Sequence, residues 1–242
     1  MTRLFNGIVS FGSALLLAVT LIGAGFAAVA IPDAATATLS RAYSGCDQPD
    51  TPFTADELTS MAIAGKRYTF DDNDREKLDA AIAEANAAAE ADGRASASTR
   101  ESAARSLPAD AISHLDDVYR VACVAKPALA IVAALCIAGL ARVAVRIGRR
   151  ALGRTLMAGG GLVLAAFCAL GVWAAIDFDG LFAAFHSLFF QAGTWTFPYD
   201  SLLITLYPTA FWMGMGGIWL AVTCIASIIC IIVGRLLCSE SK

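Results

Sequence analysis

Apolar residues run almost unbroken through four stretches of the chain, Gly7–Ile31, Val121–Val145, Leu156–Ile176 and Thr209–Val233. Each reaches the roughly 20 residues that a helix needs to cross a hydrocarbon core about 30 Å thick. Between them the pattern changes. Residues 32–120 and 177–208 are polar or mixed, and 146–155 is short and basic. The pattern predicts an all-α polytopic membrane protein: one domain over 1–242, four transmembrane helices, a helical extracytoplasmic segment and an interfacial helix.

Local signals subdivide the polar segments. Thr54 followed by Asp56, Glu57 and Leu58 reads as a helix start, with the threonine as N-cap and acids in the first turn. Asp74 to Ala91 is rich in alanine and glutamate and predicts a helix ending near Gly93. Ala95 to Arg105 is small and polar and reads as a mobile linker. Large apolar residues are sparse between Pro32 and Leu107, so this segment is expected to drape over the helices without filling a core of its own. Further on, Leu181, Phe182, Phe185 and Phe189 recur at helical spacing, as in an amphipathic helix lying in the headgroup layer.

Composition agrees with a membrane protein. The chain is 57% hydrophobic and only 16% charged, and its mean hydropathy is +0.64. The first apolar stretch follows Arg3 as a signal peptide would, but it is longer than the roughly 7–15 residues of a secretory h-region, which favours an uncleaved helix. Lys126 and Pro127 open the second span, where the lysine stem can snorkel to the headgroups.

Arginine placement sets the orientation. Arg142, Arg146, Arg149, Arg150 and Arg154 cluster between the second and third spans with no acid among them, which marks that side as cytoplasmic. Arg3, Arg235 and Lys242 then fall on the same side, so both termini are expected in the cytoplasm of a bacterial inner membrane. The net charge of −3 comes mostly from the first external segment. Without a basic patch interleaved with aromatics, nucleic acid is not an expected partner. The arginine cluster is a topology determinant in contact with anionic lipid.

The seven cysteines have no repeated spacing, and Cys136, Cys168, Cys224 and Cys230 fall within spans as small apolar residues. One bridge, Cys46 to Cys123, is conceivable, and Cys238 fits no prenylation box. Gly159, Gly160 and Gly161, with Gly214, Gly216 and Gly217, suit close helix approach in lipid. A phosphate loop is excluded there because no Lys-Ser/Thr follows.

Chemistry concentrates on two histidines. His114 and His186 are the only ones in the chain, and the topology puts both on the external side near a membrane boundary. Imidazole suits proton transfer near neutral pH. Pro108 and Asp110 fit the first turn of a helix running into the second span, which sets Asp110 at i−4 and Asp117 at i+3 from His114. Either carboxylate could fix the tautomer, while Asp116 points away. The plainer reading is a solvated helix start with incidental charges.

His186 has Phe182, Phe189 and Phe190 on its helix face and is either a snorkelling interfacial residue or a group acting on lipid. Trp195, Phe197, Pro198 and Tyr199 are ordinary belt anchors, but Asp200 among them is expensive unless solvated, paired or used. There is no G-x-S-x-G elbow, Ser187 has no geometric warrant as a nucleophile, and no metal-ligand spacing occurs. These absences favour acid–base chemistry with no metal, no cofactor and no covalent intermediate.

His114-Leu-Asp-Asp-Val, Phe185-His-Ser-Leu-Phe-Phe, Trp195, Phe197, Asp200 and Pro208, with the order and number of helices, resemble the bacterial lipoprotein intramolecular transacylases. That family's first motif is His, two residues, Asp, Val and usually Lys. Here His114, Asp117 and Val118 match, Tyr119 replaces the lysine, and Arg120 follows. The alanine-rich external segment is longer than the family's.

The resemblance implies migration of the sn-2 acyl chain of a diacylglyceryl-cysteine to the α-amino group of the same lipoprotein cysteine. It implies His114, oriented by Asp117, as base and His186 as donor to the leaving oxygen, or the reverse. Phe189 and Trp195 would hold acyl chains, and Asp200 would complete the substrate-binding set. The partners implied are diacylglyceryl lipoproteins and membrane lipid, with oligomeric state left open. The alternatives are a non-catalytic membrane protein binding an extracytoplasmic partner, and a metal-assisted lipid hydrolase using His114, Asp117 and His186.

Overall fold

The structure, a computed structural model, describes residues 2–239. In chain order it comprises α1 (Thr2–Ala30), α2 (Asp33–Tyr43), α3 (Ala55–Phe70), α4 (Arg75–Ala91), a 3-10 turn (Ala97–Thr99), α5 (Ala109–Arg142), a π segment (Val143–Ile147), α6 (Arg149–Ile176), α7 (Phe178–Ser187), α8 (Leu202–Leu206) and α9 (Thr209–Ser239). No strand occurs among the described residues. Among the described residues, four helices are long and apolar enough to cross a membrane: Arg3–Ala30, Ala109–Ile147, Arg149–Ile176 and Thr209–Ser239. Lys242, expected on the cytoplasmic side, lies outside the described residues.

The chain resolves into two compact units. The first takes the segments ending at Val29, running Ala125–Leu181 and beginning at Gly217. Its helices present large apolar side chains outward, with Ile176 80% and Val145 79% exposed, surfaces that need a hydrocarbon medium. Pro127 sits inside α5 without ending it, which is tolerated where neighbours re-satisfy the freed backbone groups.

Within this unit glycines permit close backbone approach. A Cβ on Gly153 would lie 2.5 Å from the Gly234 carbonyl oxygen, and one on Gly234 would lie 2.5 Å from the Gly153 oxygen. Gly160 stands in the same relation to the Ser227 carbonyl. Gly161 and Gly217, and Gly216 of the other unit, all expected to serve the same purpose, face open space. The basic stretch expected as a loop over 146–155 is mostly helical, and α5 and α6 meet at Gly148, whose φ of 118° only glycine adopts readily. Arginine is a good helix former, so both helices continue through it.

The second unit comprises Ala30–Val124 and Phe182–Gly216. The capping signals in its sequence are realised. Thr54 accepts from the Glu57 amide and the Glu57 side chain accepts from the Thr54 amide, a complete capping box. Asp74 caps α4 by accepting from the Lys77 amide. Glu57 also receives the Arg94 guanidinium at 2.7 Å, which holds its carboxyl below the usual range.

Two expectations for this region fail. Residues 32–107 do not drape without a core: Leu58, Met61 and Ala62 of α3 and Leu78, Ile82 and Ala85 of α4 pack with Ala111 and Leu115 of α5 and Leu202 and Leu206 of α8. Small alanines fill close helix contacts, and the missing bulk arrives from distant positions. The stretch Ala95 to Arg105 is not a free linker either. Arg105 is 3% exposed and donates to Asn86 Oδ1 at 2.8 Å, Ser96 O at 2.5 Å, Thr99 Oγ1 at 2.7 Å and Glu90 Oε1 at 2.9 Å. A buried guanidinium so satisfied pins the segment to α4. Cys46 and Cys123 are separate, exposed thiols.

Candidate active site

α5 delivers His114 into the second unit because Ala111, Ile112 and Leu115 around it are buried in the core. The same stretch is tied to α3. Tyr68 donates to Asp116 Oδ1 at 2.5 Å, and Asn73 donates to the same oxygen at 3.4 Å. Burial and the adjacent Asp116 carboxylate push the Tyr68 phenol up to about 12, so it remains a donor. Asp116, two residues beyond His114 on the helix and so turned away from it, thus fixes the rotation of the helix start.

His186 comes from the last turn of α7. The two imidazoles stack with centroids 6.2 Å apart and planes inclined by 28°. Each is 9% exposed. Phe190 packs against both, 4.9 Å from His114 and 5.7 Å from His186. Phe197 closes on His114 at 5.6 Å, and Phe182 and Trp195 close on His186 at 4.0 and 4.8 Å. Water is therefore largely excluded around the pair.

The two rings differ in their polar surroundings. His186 Nδ1 lies 2.9 Å from the Phe182 carbonyl oxygen. A carbonyl only accepts, so Nδ1 carries the proton and, in the neutral ring, Nε2 carries the lone pair. Burial holds the His186 pKa below its ordinary 6.5, and the Phe182 hydrogen bond works against that shift. The C-terminal end of α7 also favours a cation at this position. His114 Nδ1 is buried and has no hydrogen-bond partner.

Asp117 does not orient His114 through a hydrogen bond. Its carboxylate pairs with Arg120 at 3.0 Å. From Asp117, a cation one turn onward competes with an imidazole one turn back, and the guanidinium takes the carboxylate. Asp117 and Arg120 instead line a cavity of about 410 Å³ together with Val121, Phe189, Phe190, Gln191 and Thr194.

Of the other candidates, Trp195 joins the imidazole pair directly, with its indole N–H buried and unpartnered. Phe189 lies one shell out, 6.2 Å from Phe190 and 5.2 Å from Phe185. Asp200 is exposed in the turn before α8, where solvation removes the cost that made it conspicuous in the sequence. The role of the Phe182 carbonyl was not anticipated, although its i−4 position within a helix was a usable signal. Phe190 as the wall shared by both rings could not be read from spacing.

The family model for the lipoprotein intramolecular transacylase Lit matches residues 94–212, the segment holding both histidines. The chain is also similar to the membrane-integral lipoprotein intramolecular transacylase Lit from Bacillus cereus. An in meso structure of that protein has 17% identity and a TM-score of 0.73, covering 98% of this chain and 97% of that one. A variant of the same protein with a histidine replaced by arginine has 16% identity and a TM-score of 0.70, covering 99% and 95%. No curated protein sequence matches. The fold is that of the Bacillus cereus protein, and the sequence pattern of the Lit family of lipoprotein intramolecular transacylases covers residues 94–212, the segment that carries both histidines.

Proposed function

We propose that the chain is an acyltransferase that moves the sn-2 acyl chain of a diacylglyceryl-cysteine onto the α-amino group of the same lipoprotein cysteine. The observation that carries this reading is the stacked, aromatic-enclosed pair of imidazoles 6.2 Å apart. Two proton-transfer groups in one water-poor pocket suit a reaction that must unload an ammonium and load an alkoxide.

The protons balance without a cofactor. A cysteine α-ammonium, with a pKa of about 7.7–8.0, must lose a proton before its nitrogen attacks the ester carbonyl. His186 Nε2 takes that proton, since its tautomer leaves this nitrogen open and the end of α7 favours the resulting cation. The tetrahedral adduct collapses with cleavage of the bond to the glycerol oxygen. His114, neutral at this stage, takes a second proton from the adduct's nitrogen and passes it to that oxygen. The third stays on the amide nitrogen, and the first leaves to water.

Nucleophile and ester belong to one molecule, so holding them together supplies much of the rate. Acyl chains lie against Phe182, Phe189 and Trp195. Asp117 sits one turn from His114 and acts at the mouth of the site without touching the ring. The arginines around Gly148 support a cytoplasmic position for that end of α5 and α6, which puts the histidines at the outer face of a bacterial cytoplasmic membrane.

The test is conversion of a synthetic diacylglyceryl lipopeptide by purified protein, read by mass spectrometry of the N-terminal fragment. Acyl migration that survives chelation supports the reading. Loss on chelation supports the metal-assisted hydrolase, and no conversion by intact protein supports a binding role.

A further inference from the structure

Beside the imidazole pair, and sharing Phe190 with it as a wall, lies the cavity of about 410 Å³ whose polar lining is Asp117, Arg120, Gln191 and Thr194. Its apolar wall is Val121, Phe189 and Phe190. We propose that this cavity binds the peptide of the lipoprotein immediately after the acylated cysteine, an inference that rests on the transacylase reading above.

The chemistry of the lining selects that part of the substrate. Acyl chains gain nothing from a guanidinium, a carboxylate and a primary amide, and the rings around His186 already offer them an apolar surface. A peptide offers alternating carbonyl acceptors and amide donors. Arg120 and Gln191 can donate to its carbonyls, and Asp117 can accept from an ammonium or an amide. The Asp117–Arg120 pair leaves the cavity without net charge and with unused donors and acceptors on both partners. As a surface pair separated by three residues it contributes little to folding.

Position gives the pair a direction. Asp117 is one helical turn beyond His114, so a peptide lying along Asp117 and Arg120 would bring its α-nitrogen up to the imidazoles from the side of Phe190. The glycerol ester would then lie on the Phe182 and Trp195 side. This separates recognition of the two halves of the substrate and makes Arg120 a specificity-determining residue.

The test compares two dipalmitoylglyceryl substrates, a cysteine amide with no further residue and a cysteine followed by four uncharged residues. Intact protein is expected to favour the longer one about tenfold in kcat/KM, chiefly through KM, the size expected of one or two charge-assisted hydrogen bonds. Arg120→Gln should bring that ratio close to one. Arg120→Lys should keep part of it, because an ammonium donates without the planar fork. Gln191→Ala, at an exposed position outside the helices, should lower the ratio and keeps the test open should the Arg120 variants misfold.

A ratio near one for the intact protein, or one unchanged in both Arg120→Gln and Gln191→Ala, overturns the proposal and leaves the transacylase reading standing. Failure of the intact protein to convert either substrate overturns both.

Discussion

The Nδ1–H of His186 is directed at the carbonyl of Phe182, one turn earlier in α7, at 2.9 Å. This contact makes the two histidines unequal. His186 has a fixed tautomer with Nε2 open, whereas His114 has a buried Nδ1 with no partner. That difference is what supports the proposed roles of His186 as base and His114 as donor.

Burial of His186 predicts a pH dependence of stability. Its folded-state pKa is lowered below 6.5. As pH falls through the unfolded value, the unfolded chain binds a proton that the folded one does not, so stability falls. Above that value both forms are neutral and the effect is absent. Thermal unfolding in detergent should show a decline from pH 7.5 to pH 5.5 that is smaller in His186→Asn. An equal decline in both would remove the argument.

Phe190 contacts both imidazoles and holds their separation. Phe190→Ala should lower kcat by about 10²-fold, the scale of a misplacement near 1 Å, while leaving the helical circular dichroism intact. A variant with full kcat would mean the ring does not position the pair.

The capping box at α3 is a stability element remote from the chemistry. Thr54→Ala should cost about 1 kcal/mol of unfolding free energy, and Thr54→Ser much less, because the hydroxyl acceptor survives. Denaturant unfolding monitored by ellipticity measures the difference.

Glycine positions in the first unit should respond with opposite signs. Gly153→Ala places a methyl against the Gly234 carbonyl and should destabilise by about 1–3 kcal/mol. Gly161→Ala points into open space and should be neutral or stabilising by up to about 1 kcal/mol, since alanine favours helix. Thermal melts of the two variants, side by side, decide it.

Local signals carried a large part of this architecture in the sequence. The four spans, the Thr54 cap and the Asp74 start depend on residues near one another in the chain, and each appears where periodicity and capping chemistry place it. The convergence of His114 and His186 was a requirement of the chemistry, not something their spacing determined. Non-local effects went unread. The core of the second unit borrows Leu202 and Leu206 from the far end of the chain, and Arg105 pins a stretch whose composition alone suggests mobility. Asp117 had two partners within reach, one turn back and one turn on, and the charged guanidinium of Arg120 outcompeted the imidazole, a local competition that spacing alone did not decide.

The most direct test of the paired-imidazole mechanism is single-turnover acyl migration on a diacylglyceryl lipopeptide, followed by mass spectrometry, in intact protein, His114→Ala and His186→Ala. Each substitution should slow migration by about 10²–10⁴-fold, with the double variant little worse than the slower single one because the two rings act as a unit. Migration at the intact rate in either single variant would contradict the account.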